Sequence, residues 1–347
     1  MNKKILLSIC ILFITYCSLG QKSNVYKYYK YVNKAELARD IHKDKKASKY
    51  YEKSFKYNRP FAKDAFQYMW VYANKHYGSE STALQCAMFN AQRGMLWKKS
   101  LKKDTVFYKK ITSIKDTTQL TIIPSLKNAL DSLLHMDQQV RISDTIPMKQ
   151  IALTDSMNMQ KLAELFESYG YINEDNAGER AITVIQMIFI HNSKTQTEEP
   201  PFYILENAVR AGTFDGREYM YLYDLCQYFR NDIINISDST RKDSRFGTSM
   251  DQYLTVGDIL FIYPPKNIKK TNANRKSLLM AETWKDYEKK LINTFRNGGA
   301  GFVQLTPMTF SSTEEEDKKK DELKQEIISG KVKGKYIKGE RFILPWF

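Results

Sequence analysis

Four groups of residues in this chain have the types and spacing to do acid–base or ligand chemistry. Asp137-Gln138 is followed by Arg141 four positions on. On a helix this spacing puts a carboxylate and a guanidinium on one face, in the favourable acid-before-base order. As an exposed salt bridge such a pair contributes only about 0.3–0.5 kcal/mol; in a pocket the same pair can bind or polarise a polar ligand. His191 closes the most apolar of the helices expected after the N-terminal segment, through Ile182 to Ile190. A helix C-terminus favours a protonated imidazole, so this side chain can act as an acid, a base or an anion ligand, or simply cap its helix. Asp224 stands among Tyr221, Leu222, Tyr223, Leu225 and Cys226. A carboxylate in such company is expected to be partly buried and to need a partner, for which Arg141 or His191 could serve. Arg245-Phe246-Gly247-Thr248 adds a glycine that permits close backbone approach and a threonine hydroxyl. The candidate catalytic groups are therefore Asp137, Arg141, His191 and Asp224, and the candidate ligand-binding ones Gln138, Gly247 and Thr248. No Cys/His spacing matches a zinc site, and no metal or cofactor is expected.

The elements that must position these residues read as helices. Ala35, Leu37, Ala38 and Ile41 form a short amphipathic stretch, and Ala47, Tyr50, Tyr51, Ser54 and Phe55 recur at three- and four-residue spacing. Asn58-Arg59-Pro60 then breaks the helix. Further helices are expected over 62–76 and 80–93, separated at Gly78-Ser79 and closed by Gly94. Residues 98–124 are charged and threonine-rich and are expected to link this part, 21–97, to a second helical domain, 125–300. In that domain Leu126, Leu130, Leu133 and Leu134 make one helix face, and 157–169 another helix with Asp155 or Ser156 as N-cap and Gly170 as C-cap. Helices over 179–191, 201–211, 217–230 and 276–295 follow, with Asp258 to Tyr263 the best strand. Residues 231–256 read as irregular, and Gly298 to Gly301 end the last core helix. Residues 301–347 form a charged tail that finishes in an apolar segment, Phe342 to Phe347. The fold class is mainly α, with at most a small β element.

Two resemblances follow from these patterns. The small-aromatic-small set Ala47, Tyr51 and Ser54, with Ala83 near the repeat period of about 34 residues, makes residues 33–94 similar to degenerate tetratricopeptide-like hairpins. Two such repeats are too few for a free-standing solenoid, so they are expected to pack on the rest of the chain. Asp137-Gln138-x-x-Arg141, Asp155, Leu162, Tyr169-Gly170, Gly178, His191, Gly212, Asp224, Phe246-Gly247-Thr248, Asn274-Arg275-Lys276 and Tyr287, in that order, resemble an uncharacterised bacterial domain-of-unknown-function family over about residues 125–292. Ile172-Asn173, Leu225 and Ser249 depart from that pattern, which expects Trp-Pro, Arg and Gln near those places. The resemblance implies a fold and a residue list, and no activity.

Lys3 and Lys4 precede an apolar run, Ile5 to Cys17, and Ser18-Leu19-Gly20 supplies the small-x-small pattern before Gln21. This reads as an export signal spanning 1–20, cleaved after Gly20, with a periplasmic or secreted product and no later membrane span. Lipid anchoring at Cys17 is the alternative, disfavoured by Tyr16 where a small residue is needed. The formal charge is +15, and removing the signal takes only Lys3 and Lys4 from it. The excess is scattered in islands such as Lys98-Lys99, Lys109-Lys110 and Lys269-Lys270, with no basic stripe and no nucleic-acid module. Nucleic acid is thus not an expected partner; an unknown protein or envelope component is. Cys86 and Cys226 both lie in apolar helical patterns, where buried thiols are expected in preference to a disulfide. Two functional readings remain: a noncatalytic interaction or scaffold protein of the cell envelope, or a hydrolase-like acid–base enzyme whose pocket gathers Asp137, Arg141, His191 and Asp224.

Overall fold

A computed structural model describes residues 3–94, 101, 104–114, 122–142, 145–178, 180–196, 198–233, 244–248, 252–297, 312–331 and 333–338. Most of the described residues are helical, in fourteen helices, with one three-stranded sheet among them, so the mainly α expectation holds.

Helix α1 (Lys3–Asp40) is one continuous element that runs through the expected cleavage point. Its second half carries Val25, Tyr28, Tyr29 and Val32 at spacings of three, one and three, and all four are buried. That apolar stripe lies upstream of the stretch recognised from the sequence. α2 (Asp44–Phe55), α3 (Ala62–Lys75) and α4 (Glu80–Gln92) complete the expected hairpins. Ala47, Tyr51 and Ser54 are buried in α2, the two small residues flanking the aromatic one at the helix contact. α5 (Thr105–Ser113) falls within the expected linker. Asp104 caps it by accepting from the Val106 and Phe107 amides, and Phe107 and Ile111 are buried against α3 and α4. This part of the linker is therefore core, while 98–100, 102–103 and 115–121 lie outside the described residues.

The main core joins α1 to α6 (Pro124–Gln139), α7 (Met148–Tyr169), the short α8 (Glu174–Ala177), α9 (Ala181–Thr195), α10 (Phe202–Arg210) and α11 (Gly216–Ile233). The N-terminal hairpins do not stand apart: Val25, Tyr28 and Tyr29 share a cluster with Leu130, Ile185, Phe189 and Leu222. α7 begins at Met148, well before the expected 157, because Pro147 occupies the N-cap and can end no helix there. Asp155 is accordingly a buried mid-helix residue and not a cap. Gly170 does end α7, with φ of 71°.

The sheet was half legible. β1 (Tyr253–Val256), β2 (Ile259–Ile262) and β3 (Lys335–Lys338) pair antiparallel in that order. Val256 pairs Ile259 across the two-residue turn Gly257-Asp258, and Gly257 has the left-handed φ of 56° such a turn requires. All four β2 residues are buried. Leu260 and Ile262 pack on α13 (Trp284–Arg296), whereas Ile259 and Phe261 share a cluster with Leu323 of α14 (Thr313–Ile328). A strand covered on both faces loses its alternation, which is why the run read poorly as a strand. The single helix expected over 276–295 is two: α12 (Ile268–Ser277) and α13, separated where Leu279 takes φ of 61° and Thr283 forms a capping box with Asp286. The glycines 298–301 and the apolar tail 342–347 lie outside the described residues. Cys86 and Cys226 are both buried and unpaired, and burial pushes the Cys226 thiol up to about 12. Among the described residues no helix is long and apolar enough to cross a membrane.

Candidate functional site

α6, α7 and α9 pack side by side, and their facing sides bring together most of the residues singled out in the sequence. Asp137 is buried near the end of α6. Its Oδ1 lies 2.8 Å from His191 Nδ1 and accepts from Arg141 Nη1 at 3.1 Å, while Oδ2 accepts from the Gln138 amide at 2.7 Å. Arg141 also donates to the Asp137 carbonyl at 2.7 Å and reaches across to Asp155 Oδ1 on α7 at 2.5 Å. Thr195, on the last turn of α9, donates to Asp155 Oδ2 at 2.9 Å. His191 is one turn inside α9, because that helix runs on to Thr195.

The electrostatics follow from this geometry. Burial raises the Asp137 carboxyl, but the His191 hydrogen bond and charge, with Arg141 and Gln138, outweigh it and hold the group below the usual carboxylate range. Ligand atoms of Asp137, Asp155 and His191 lie within 4.8 Å of one another, a donor set that in isolation would suit a divalent ion. The Arg141 guanidinium already bridges the two carboxylates, so a metal would have to compete with a resident cation. The His191–Asp137 contact is also the arrangement that orients a general base, with the buried carboxylate fixing the imidazole.

Asp224 joins none of this. Its carboxylate is enclosed by the loop at 244–248: Ser244 Oγ at 2.5 Å, the Thr248 amide at 2.9 Å, Thr248 Oγ1 at 2.7 Å and the Phe246 amide at 3.2 Å. The expected pairing with Arg141 or His191 is replaced by these local donors, because α11 presents Asp224 to the loop that follows it in sequence. Burial raises the Asp224 carboxyl against the pull of those hydrogen bonds. The Gly247 amide is held by Ser244 Oγ at 2.8 Å, and Thr248 Oγ1 also lies 2.9 Å from the Met220 carbonyl. Of the three residues expected to bind a ligand, Thr248 is thus turned inward onto Asp224, the Gly247 amide is taken by Ser244, and Gln138 is taken by Asp137. Buried Arg275 donates from Nε to the Phe246 carbonyl at 2.8 Å and fixes the loop from behind.

A larger charged network was not foreseen. Arg217 at the start of α11 donates to Glu36 of α1 at 2.6 Å, to both oxygens of Asp64 of α3 at 2.9 and 2.8 Å, and to Asp215 at 2.5 Å. Tyr28 donates to Asp64 at 2.5 Å. Lys290 of α13 pairs with Glu36 and, at 2.5 Å, with Glu282, whose other oxygen accepts from Arg275 at 2.7 Å. Burial raises Glu36, yet Lys290, Arg217 and Lys63 together bring it down to about 2. Nearby Asp40 is pushed up to about 7 by burial and by the Glu36 charge. The partners lie up to 254 positions apart, so no local spacing announces them; the only sequence signal is charge placed inside apolar helical faces, such as Glu36 beside Ala35, Leu37 and Ala38.

Set against protein-family models, curated proteins and solved structures, the chain matches none of them.

Proposed function

We propose that this chain is a noncatalytic, exported binding or scaffold protein of the cell envelope, in which the polar clusters brace helices and leave the surface and its cavities to recognise a partner. The observation that carries this reading is saturation. Both oxygens of Asp137 and of Asp155 are taken by Arg141, His191, Gln138 and Thr195, and Asp224 is closed off by its own loop. A reactive constellation needs a group left over to meet substrate, and the four expected catalytic residues do not converge on one pocket. Export is supported by Lys3-Lys4, the apolar run that follows and Ser18-Leu19-Gly20.

The second reading, an acid–base hydrolase, is favoured by one observation: His191 Nδ1 sits 2.8 Å from buried Asp137, the contact that orients the imidazole of a general base. The two readings separate in a turnover assay of the full chain on ester, amide, glycoside and phosphate-ester reporter substrates. The binding reading expects no turnover above that of His191→Ala. Turnover that is lost in His191→Ala overturns it in favour of the enzyme.

A further inference from the structure

The hairpin of α1 and α2 gathers lysines that the sequence spreads over 35 positions. All ten lysines from Lys22 to Lys56 are exposed, and none of them pairs with a carboxylate among the described residues. The acids of the same segment are used elsewhere. Glu36 and Asp40 are buried, Asp44 pairs with Arg39 at 3.7 Å, and Glu52 accepts from the Tyr68 hydroxyl at 2.5 Å and the Ser79 amide at 2.9 Å. Basic charge that reads from the sequence as scattered islands is therefore joined here into one face with no compensating charge.

Lys27, Lys30 and Lys34 on α1, and Lys46, Lys49 and Lys53 on α2, recur at three- and four-residue spacing, so each set lines one side of its helix. Tyrosines fill the seam between the two rows: Tyr31 stacks on Tyr57 at 5.8 Å and on Tyr50 at 6.4 Å. Lysine ammoniums lie over these rings, Lys27 over Tyr57 at 5.4 Å, Lys34 over Tyr31 and Tyr50 at 5.9 and 5.8 Å, and Lys53 over Tyr31 at 6.0 Å. These contacts hold the rows side by side as a single surface.

We infer that this hairpin face docks on an anionic phospholipid surface. Two observations choose that partner among polyanions. The free charge is all lysine, because Arg39 is engaged by Asp44 and Arg59 by Asp175. A lysine is a flexible point charge without the bidentate fork that reads a fixed phosphate geometry, which suits headgroups that hold no fixed positions. The aromatic residues are tyrosines, whose amphipathic rings sit at headgroup depth. A single-stranded nucleic acid would need open ring faces on which bases stack, and these rings already carry ammoniums over their faces. The inference rests on the binding reading and names its partner; turnover of reporter substrates and attachment to vesicles are separate measurements, so either can fail alone.

The test is co-sedimentation of the full chain with vesicles of phosphatidylcholine alone and with about 30% phosphatidylglycerol, at about 50 and 500 mM salt. The partition coefficient is expected to rise by about a hundredfold or more with the anionic lipid at low salt and to lose most of that rise at high salt. Any affinity of the apolar N-terminal run adds equally on both vesicles. Lys27→Gln, Lys34→Gln, Lys46→Gln and Lys53→Gln together should lower attachment to the anionic vesicles by about tenfold or more. Lys109→Gln, Lys149→Gln, Lys269→Gln and Lys318→Gln together remove the same charge from exposed positions outside the hairpin and should change it by less than about threefold. Equal losses in the two variants overturn the inference, since net charge alone would then account for attachment. Equal partition of the unmutated chain on the two vesicle types overturns it without any variant having to fold, and so does salt-sensitive binding of oligothymidylate with no attachment to vesicles.

Discussion

The Arg141 cluster and the Arg217 network are built from the same parts, an arginine set between buried carboxylates, yet they differ in reach and in the number of charges they join. Arg141 ties together three helices within residues 137–195, and its side chain retains 22% exposure. Arg217 ties α1, α3 and α11 across 181 residues with 13% of its side chain exposed, and it answers three carboxylates where Arg141 answers two; the partners Asp137, Asp155, Glu36 and Asp64 are alike at most 1% exposed. Removing either arginine strands buried carboxylates, but Arg217 leaves more of them, and on elements far apart in the chain. The second network should therefore be the one on which folding depends, and it is the contact that makes the N-terminal hairpins part of the main body.

The largest expected effect comes from removing the buried cation. Arg217→Met leaves Asp64 and Asp215 without their principal partner and should lower stability by about 3–5 kcal/mol in urea unfolding. Arg141→Met, on the same reasoning, should cost about 1–3 kcal/mol, and a loss equal to that of Arg217→Met would erase the distinction between the two regions.

Acid and base limbs sharpen the comparison further. Asp137 titrates below its unfolded value, so its contribution is complete above about pH 4 and is lost as pH falls through the folded value. Asp137→Asn should flatten the acid limb of a stability–pH curve. Glu174 and Asp40 run the other way, because each is raised to about 7. Between their unfolded values and about 7 the folded state binds the extra protons, so stability falls as pH rises through that window. Glu174→Gln should remove part of that decline, which thermal unfolding at pH 5 and pH 8 would show as a gain for the variant confined to the higher pH. The smallest effect belongs to Lys127, which pairs with Asp131 on the exposed face of α6; Lys127→Ala should change stability by less than about 0.5 kcal/mol.

How much of this was legible follows the same divide between local and distant. Asp137 and Arg141 can be paired from their spacing alone, because helix geometry fixes that relation; His191 stands out by its place at the end of an apolar run, but its contact with Asp137, 54 positions away, is set by how α6 and α9 pack. Asp155 reads as a cap from the sequence, since Ser156 and the apolar residues after it suggest a helix start that Pro147 sets earlier. Asp224 was rightly expected to be buried. Its partners differ from the expected Arg141 or His191 because Ser244, Phe246 and Thr248 bind it through backbone amides and hydroxyls, which leave no charge pattern to read. The turn Gly257-Asp258 between two apolar runs, and Thr283-x-x-Asp286, were readable signals for β1 and for the break before α13. Glu36–Arg217 and Glu36–Lys290 were not readable, since nothing in a single chain marks contacts that span nearly its whole length.

The central claim, that the His191 cluster braces α6, α7 and α9 and does not react, is tested most directly by the unfolding free energy of His191→Ala in urea at pH 6. Residues that serve chemistry are commonly held at a cost to stability, and replacing them leaves stability unchanged or raises it. A brace behaves in the opposite way: the account predicts a loss of about 1–2 kcal/mol, and an unchanged or higher stability would contradict it and favour the acid–base enzyme.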